Sequence, residues 1–597
     1  MDGVSSSTVL RAGVGTLVFV VTAALLFPLV AHGPQDADSS EFVAVALRGS
    51  VAHPPGFPWF QTLLQGLVVL FPENPYWTLA LFNAGAQAVA AGLLAYVAAD
   101  LAADVVVGAL LACAWVIWKP TLYTGTMVEA FAVHHVMCAL LVLACRAAGR
   151  TPTLPGYFLV GLLSGLGGSH HPAIIFFAPW VFAAVWGAPK ERTATALATR
   201  SAFVLVGAAL GLLPYGLLTL QFLHAPNYAF GHIEDLADVV RHALRMDYGV
   251  FHMNQHGNEG QPSAFRSFLR ATTTAPLVSG VIVLFAMRSR KSANPRADDD
   301  GATARLESLD WRIPALGAWI ALLIFAAMLR GVDGGPGLAL RFFPTIALGA
   351  SVAAAVALAG VRRWLARLMT ASALIVGGVG LGSGLRAADA AGDDYKAELL
   401  AQIFESLPQG AFLLLGDDAL VFGAEAEQAR GVRPDVTVIA LGRLDAWWTR
   451  ERLIARHPFL GALDVEATSW FEPFVTTTLS AGRVIATSPS QPQPAGIRAI
   501  ARGPLAQWTR ATPGTADDDG LLSRCRALPY SLLRLSSERD TSWNLARAFS
   551  LQGLARRAER PDEMGKILST ALQRFADGDV AGARQTCAAV ERKPSAT

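Results

Sequence analysis

Charge is scarce in this chain. Of its 597 residues only 16% are Asp, Glu, Lys or Arg, where soluble domains carry about a quarter. A wholly soluble protein is excluded by that deficit, which 53% hydrophobic residues fill. Cysteine is scarce as well. The five cysteines show no metal-ligand spacing, and neither HExxH nor a Cys/His zinc pattern occurs. Cys113, Cys138 and Cys145 sit in apolar segments and read as packing residues, while Cys525 and Cys587 could pair in an oxidising compartment. No P-loop, GxGxxG, GxSxG or kinase signature stands in a suitable context. Energy for a reaction would therefore come with an activated substrate rather than from ATP. The net charge of +2, with no basic cluster interleaved by aromatics, gives no nucleic-acid surface.

What the chain has instead is apolar runs near the ~20 residues that cross a bilayer. Candidate spans are 9–31, 76–98, 103–119, 127–145, 156–170, 172–188, 202–222, 272–287, 313–329, 341–360 and 364–385. The first is too long and uninterrupted for a cleaved signal peptide. The run 56–71 is short and bracketed by Pro54, Pro55, Pro58 and Pro72. The basic connections carry Arg146/Arg150, Lys190/Arg192/Arg200, Arg288/Arg290/Lys291/Arg296 and Arg362/Arg363/Arg367. They share the cytoplasmic side if 56–71 lies along the membrane and eleven segments cross. A twelve-span rival with the N-terminus outside would put Asp38 on the face opposite the other polar clusters.

In the eleven-span reading, the outer face collects the unusual residues. Asp38 and Glu41 follow span 1 at a helical i,i+3 spacing, so both lie on one helix face. They read as a general base and a partner acid, or as acids favoured by a helix N-terminus. His53-Pro54-Pro55-Gly56 makes a rigid corner, and His53 could bind a phosphate or a sugar. Glu129 could pair with Lys119 or complete a sugar pocket, with His134 about a turn deeper. His170 and His171 could bind a lipid phosphate or cap a hairpin. Arg341 could snorkel to headgroups or grip a phosphate with its planar fork. Eleven of the twelve histidines precede residue 260, and ionisable residues in a membrane are costly and usually functional.

Residues 289–311 read as a cytoplasmic loop. The composition changes after 386, giving three expected parts: a transmembrane domain at 1–386, an extracytoplasmic α/β domain at 387–530 and a helical region at 531–597. Strands are expected at 411–418 and 433–440, and helices at 542–556, 562–575 and 580–590.

Asp38-Ser-Ser-Glu41 followed by Ala52-His-Pro-Pro-Gly-Phe-Pro58 resembles the "D-S-x-E … A-H-P-P-G-Y-P" signature of a membrane family long called a domain of unknown function. That family includes the eukaryotic transmembrane O-mannosyltransferase of receptor IPT domains and belongs to the GT-C superfamily. Further resemblances run collinearly: Glu129-Ala-Phe-Ala-Val-His134 to "E-V-Y-A-L-N", 165–171 to "G-L-x-x-x-N-H-H", and Arg341-Phe-Phe-Pro344 to "R-F-Y-L-P". Pro214-Tyr215, Asp247-Tyr248-Gly249, Gly416-Asp-Asp418 and Arg433-Pro-Asp-Val436 match other patches. His134 and Ser169 stand where asparagine is common in the family.

The resemblance covers about residues 10–450. It implies a GT-C-like polytopic helical fold and an inverting glycosyltransferase. The donor would be a polyprenyl-phosphate sugar, mannose-like, and the acceptor a hydroxyl of an exported protein or a glycan. Asp38 would act as base, and Glu41 and Glu129 would orient the acceptor or the sugar. His53, His170, His171 and Arg341 would hold the phosphate. The resemblance leaves a divalent ion open. A transporter or flippase for a glycolipid is the alternative, but no internal repeat is visible. A non-catalytic anchor for the C-terminal domain would leave the membrane acids without a role.

Overall fold

The computed structural model describes residues 6–35, 38–187, 192–246, 315–320, 341–359, 361–389, 395–467, 469–487, 494–502, 505–510 and 563–576, and a few positions between 579 and 586. The expected spans at 272–287 and most of 313–329, the pair Cys525/Cys587, the helix at 542–556 and the patch at 247–249 lie outside the described residues. The chain divides into two compact units. One comprises Met1–His32 with Gly49–Gly392, the other Gly33–Arg48 with Asp393–Thr597.

The first unit is a helical membrane domain. Helix α1 is Ser6–Leu26; α2, Ser39–Arg48, falls in the other unit. Then come α3 (Pro58–Leu70), α4 (Pro75–Ala102), α5 (Val105–Val116), α6 (Lys119–Gly125), α7 (Phe131–Arg150) and α8 (Leu154–His170). They are followed by α9 (Ala178–Trp186), α10 (Ala194–Leu212), α11 (Leu217–His224) and α12 (Leu236–Ala243). After the gap come α13 (Phe343–Leu358), α14 (Arg363–Val379) and α15 (Leu381–Ala388). Local chemistry sets the starts. Asn74 accepts from Trp77 N at 3.1 Å with Pro75 in the first turn, Asp104 accepts from Val106 N at 2.9 Å, and Thr193 accepts from Ala196 N at 3.1 Å.

Among the described residues, four helical segments are long and apolar enough to cross a bilayer: Ser6–Leu29, Pro75–Ala102, Phe131–Arg150 and Ala194–His224. A fifth is counted if α5 and α6, bent by 71°, form one span. The protein is thus a multi-pass membrane protein. The expected single spans at 103–119, 341–360 and 364–385 are a bent pair, a 16-residue helix and a broken pair α14/α15. The expected span at 172–188 begins as a 3₁₀ turn, Pro172–Phe177, before α9. Helix α3 has 13 residues, about 20 Å at helical rise against a ~30 Å core, and cannot cross. It buries Phe60, Gln61, Leu64 and Val68 and turns Val69 and Leu70 outward.

Glycines set the tightest helix contact. A Cβ on Gly161 would strike the Val204 carbonyl, one on Gly165 the Ala208 carbonyl, and one on Gly211 the Leu162 oxygen at 2.5 Å. Two small-xxx-small stripes thus press α8 onto α10. Farther along, Trp115 Nε1 donates to Pro344 O at 2.8 Å and ties α5 to α13.

In the second unit, α2 packs on α17 (Asp418–Ala429), which follows α16 (Tyr395–Glu405) and β1 (Phe412–Leu415). The unit continues with β2 (Thr437–Ala440), α18 (Trp447–Arg456), α19 (Phe471–Ser480), β3 (Ile485–Thr487), β4 (Ile497–Arg502), β5 (Leu505–Arg510) and α20 (Glu563–Ala576). The sheet order is β2-β1-β3-β5-β4, with β1 parallel to both neighbours and β5 antiparallel to β3 and β4. Alternation along β1 makes two cores. Leu413 and Leu415 pack with Leu399, Ile403 and Leu420 on one face, and Phe412 and Leu414 with Ile439, Leu453 and Phe474 on the other. Arg433 pins the turn before β2. Its guanidinium holds Asp435 at 2.9 Å and donates to the Leu407 and Pro408 carbonyls. The strands expected within 411–418 and 433–440, each with a turn, form as β1 and β2, and the helix expected at 562–575 forms one residue later, at Glu563–Ala576.

Candidate functional site

In the membrane unit, residues distant in sequence converge on one buried cluster. Arg341, just before α13, places Nη1 3.3 Å from Glu129 Oε1, just before α7. Both side chains are buried in the fold. A carboxylate there is compensated only by an opposite charge with hydrogen bonds, and Arg341 supplies both. His170 ends α8 and donates from Nε2 to Ala130 O at 2.8 Å, one residue from Glu129. His171 accepts from Ala173 N at 3.2 Å and so caps the 3₁₀ turn. Its ring lies 4.9 Å from that of His134 and 5.0 Å from that of Phe131.

The corner after α2 supplies the rest. His53 stacks edgewise on Phe57 at 5.3 Å, and Phe57 lies 6.1 Å from His170 and 6.2 Å from His171. Phe57 has φ +47°, a left-handed conformation unusual for an aromatic residue, and the preceding Gly56 has φ +88°. Three elements hold this corner. Phe230 N donates to Val51 O at 2.9 Å, Gln221 Nε2 to Pro58 O at 3.1 Å, and Trp59 Nε1 to Leu166 O at 3.1 Å. His242 on α12 is buried and donates from Nε2 to Ala52 O at 3.0 Å. Burial pushes its pKa down to about 3; the bond to Ala52 opposes the shift and the nearby His53 adds to it.

Two buried ring nitrogens in this cluster, Nδ1 of His134 and Nδ1 of His170, have no hydrogen-bond partner among the described residues. A buried polar atom without a partner costs on the order of 1–3 kcal/mol. Such atoms beside an ion pair and aromatic faces suit a polyhydroxylated or phosphorylated ligand, which would donate to or accept from them. Neighbouring His135 is satisfied differently: Nδ1 donates to Gln87 Oε1 and Nε2 accepts from Thr345 Oγ1, each at 3.1 Å.

Asp38 and Glu41 belong to the other unit. The Asp38 carbonyl accepts the first bond of α2, from Phe42 N at 3.0 Å, and Glu41 is buried one turn on. Around α2 the charges come from the C-terminal unit. Arg443 places Nη1 2.9 Å from Glu425 Oε1 and its guanidinium over the Phe422 ring. Burial lowers the pKa of Arg443, but the carboxylates of Glu425, Glu41 and Asp418 outweigh it and raise the value overall. Glu41 thus shares an acidic–basic patch with α17. Gln35, just before α2, accepts from Lys396 Nζ at 3.3 Å.

Of the eight residues singled out in the sequence, six lie in the membrane unit: His53, Glu129, His134, His170, His171 and Arg341. Glu129 takes Arg341 as an ionic partner. Phe57, Phe131, Phe342 and Arg443 were not singled out. Phe342 lies 5.0 Å from Phe131 and 6.3 Å from His171. Phe57 stands within the Pro-Pro-Gly-Phe-Pro run, where a turn was legible but a left-handed aromatic was not. Arg443 carried no signal.

No protein-family model matches the chain. Among solved structures, ArnT from Cupriavidus metallidurans bound to undecaprenyl phosphate aligns over 85% of this chain and 99% of its own, at 13% identity and a TM-score of 0.42. The Archaeoglobus fulgidus oligosaccharyltransferase in complex with zinc and sulfate aligns over 81% and 68%, also at 13% identity and 0.42. Among curated proteins, 247 residues match the mouse protein O-mannosyl-transferase TMEM260 at 27% identity, covering 39% of this chain. The match spans about a third of that relative's length, 34%. Over that stretch the chain is distantly similar to this O-mannosyl-transferase.

Proposed function

We propose that the protein is an inverting, GT-C-type glycosyltransferase. It moves a mannose-like sugar from a polyprenyl-phosphate donor to a hydroxyl, Ser or Thr of an exported protein, at the outer face of the membrane. The observation that carries this reading is the buried Arg341–Glu129 pair, ringed by His53, Phe57, His134, His170 and His171. The similarity to the mouse protein O-mannosyl-transferase supports it, as does the motif resemblance around Asp38 and His53.

In this mechanism the Asp38 carboxylate takes the proton of the acceptor hydroxyl. The hydroxyl oxygen attacks the anomeric carbon, the bond from that carbon to the phosphate oxygen breaks, and polyprenyl phosphate leaves with the electron pair. Charge grows on the leaving phosphate, so fixed donors there lower the barrier; Arg341, His53 and His171 take that role, while His170, whose Nε2–H is used on Ala130 O, offers its Nδ1 lone pair to a hydroxyl of the sugar. Glu41 and Glu129 orient acceptor and sugar, and His134 offers its Nδ1 to a sugar hydroxyl. Eleven crossings, with the short helices completing the described spans, would leave α2 and the C-terminal unit outside.

The test is transfer by membranes with and without the chain, given radiolabelled polyprenyl-phosphate mannose and exported proteins. Label released from protein by alkaline β-elimination supports the reading. Donor that crosses the bilayer with no protein-bound label supports a flippase instead.

A further inference from the structure

Helix α12 is too short to cross a bilayer, yet it turns an apolar face outward. Its eight residues, Leu236–Ala243, reach about 12 Å at helical rise against a ~30 Å hydrocarbon core. Leu236, Val240 and Leu244, which caps the helix, recur at every fourth position and so share one face. All three are exposed. The side turned inward is packed, with Val239 and His242 buried. A third side is polar. Arg241 is exposed and stands three residues before Leu244, at the border of the apolar face. The acids at the helix start are used locally: Asp238 N donates to Asp235 Oδ1 at 2.9 Å, and Asp238 Oδ2 accepts from Glu234 N at 3.1 Å.

The helix before α12 indicates what covers this face. Segment Ala194–His224 is long and apolar enough to cross the membrane, and near its end Leu220 and Leu223 are exposed, as lipid-facing side chains are. The inward sides of α11 and α12 share one core, in which Leu218 and Phe222 pack with Ile233, Val239 and Val51. The outward leucines of α12 therefore continue the lipid-facing surface of α11. A short helix with an apolar face bordered by a basic residue suits the boundary between headgroups and acyl chains. There its apolar side chains enter the acyl region and an arginine reaches the phosphates.

We propose that α12 is an interfacial helix whose partner is the lipid bilayer. It lies in the membrane plane, with Leu236, Val240 and Leu244 at the acyl boundary and Arg241 among the headgroups. On its inner side His242 donates to Ala52 O, next to His53, so α12 ties the His53 corner to that depth. This placement does not depend on the sugar-transfer reading.

The test is depth-dependent quenching of a fluorophore on the apolar face. Leu236→Cys and Leu244→Cys are labelled in turn with bimane in the full chain, reconstituted into phosphatidylcholine nanodiscs. Wild type labelled in parallel gives the background from its own cysteines, and Glu466→Cys, at an exposed polar position of the C-terminal unit, is the water-facing control. The quenchers are phosphatidylcholine with a doxyl group near the headgroup, the same lipid with the group near the chain end, and aqueous iodide. Both α12 labels should lose most fluorescence to the shallow doxyl lipid, less to the deep one and least to iodide, and their profiles should match. A helix standing along the membrane normal would separate the two labels by about 12 Å in depth, so unmatched profiles overturn the in-plane placement. Quenching by iodide alone, as at Glu466→Cys, assigns the face to water and overturns the proposal. Protection from all three quenchers assigns the face to packing within the chain and also overturns it. If Leu244→Cys fails to fold, Leu236→Cys, altered at a residue 76% exposed, must still show the shallow-lipid preference, and its absence overturns the proposal.

Discussion

Arg341 and Glu129 are 212 residues apart in sequence, and their side chains meet at 3.3 Å inside the membrane unit. Breaking a buried pair from one side costs about 3–5 kcal/mol, while replacing both members with apolar residues is often neutral. Arg341→Met and Glu129→Leu alone should each lower the thermal midpoint in detergent, and the double variant should recover most of the loss. All three should lose sugar transfer, because the phosphate loses its cation or the sugar its carboxylate. Recovery of activity in the double variant would reduce the pair to a structural role.

Phe57 joins His53 to His170 and His171 through ring contacts. Phe57→Ala should remove those contacts and raise the KM for the lipid-linked sugar more than it lowers kcat. Phe57→Tyr keeps the ring and should keep the activity. Equal kinetics for the alanine variant and wild type would show that the ring does not face the donor.

Two histidines outside the spans make stability fall in acid. His242 is held neutral with its pKa down at about 3, and burial beside Arg456 and Arg483 lowers His457 to about 4. In the unfolded chain both titrate near 6.5. Below about pH 6.5 the unfolded state therefore binds more protons than the folded state. Stability is full above that pH and declines as pH falls toward 4. One group contributes at most about 1.4 kcal/mol per pH unit. His457→Gln, able to keep a bond to Thr437 Oγ1, should flatten the fall of the thermal midpoint between pH 6.5 and 4; an unchanged slope would refute the assignment.

The α8–α10 contact has no room for a side chain at Gly161, Gly165, Gly207 or Gly211. Gly161→Ala should destabilise the protein by roughly 1–3 kcal/mol, because its Cβ meets backbone rather than a flexible side chain. Gly168→Ala, whose Cβ would lie 3.5 Å from Leu212 Cδ2, should be close to neutral. Thermal melts of the two variants make the comparison, and similar midpoints would contradict it.

Local signals were legible in the sequence and long-range pairing was not. The prolines around 54–58 announced the corner and the short helix α3, since each restricts its neighbours. Short continuous apolar runs bounded by turn residues announced β1 and β2. The broken α5/α6 was not legible as a pair, because the apolar run from Val105 ends at Trp118, before Lys119-Pro120, and hydropathy does not register the 71° bend that follows. Arg341 and Glu129 were both visible as costly buried charges, yet nothing in either neighbourhood names the other. The placement of α2 in the unit of the C-terminal sheet was equally hidden. Its signal lies in the packing of α2 on α17, more than 370 residues later in the chain.

The central claim is that Asp38 removes the acceptor proton. The measurement that tests it most directly is transfer of radiolabelled mannose from polyprenyl phosphate by purified wild type and Asp38→Asn. Asparagine keeps the size of the side chain and removes the base, so folding and donor binding should persist while transfer falls by about 10²-fold or more. Transfer by Asp38→Asn at the wild-type rate would contradict the claim.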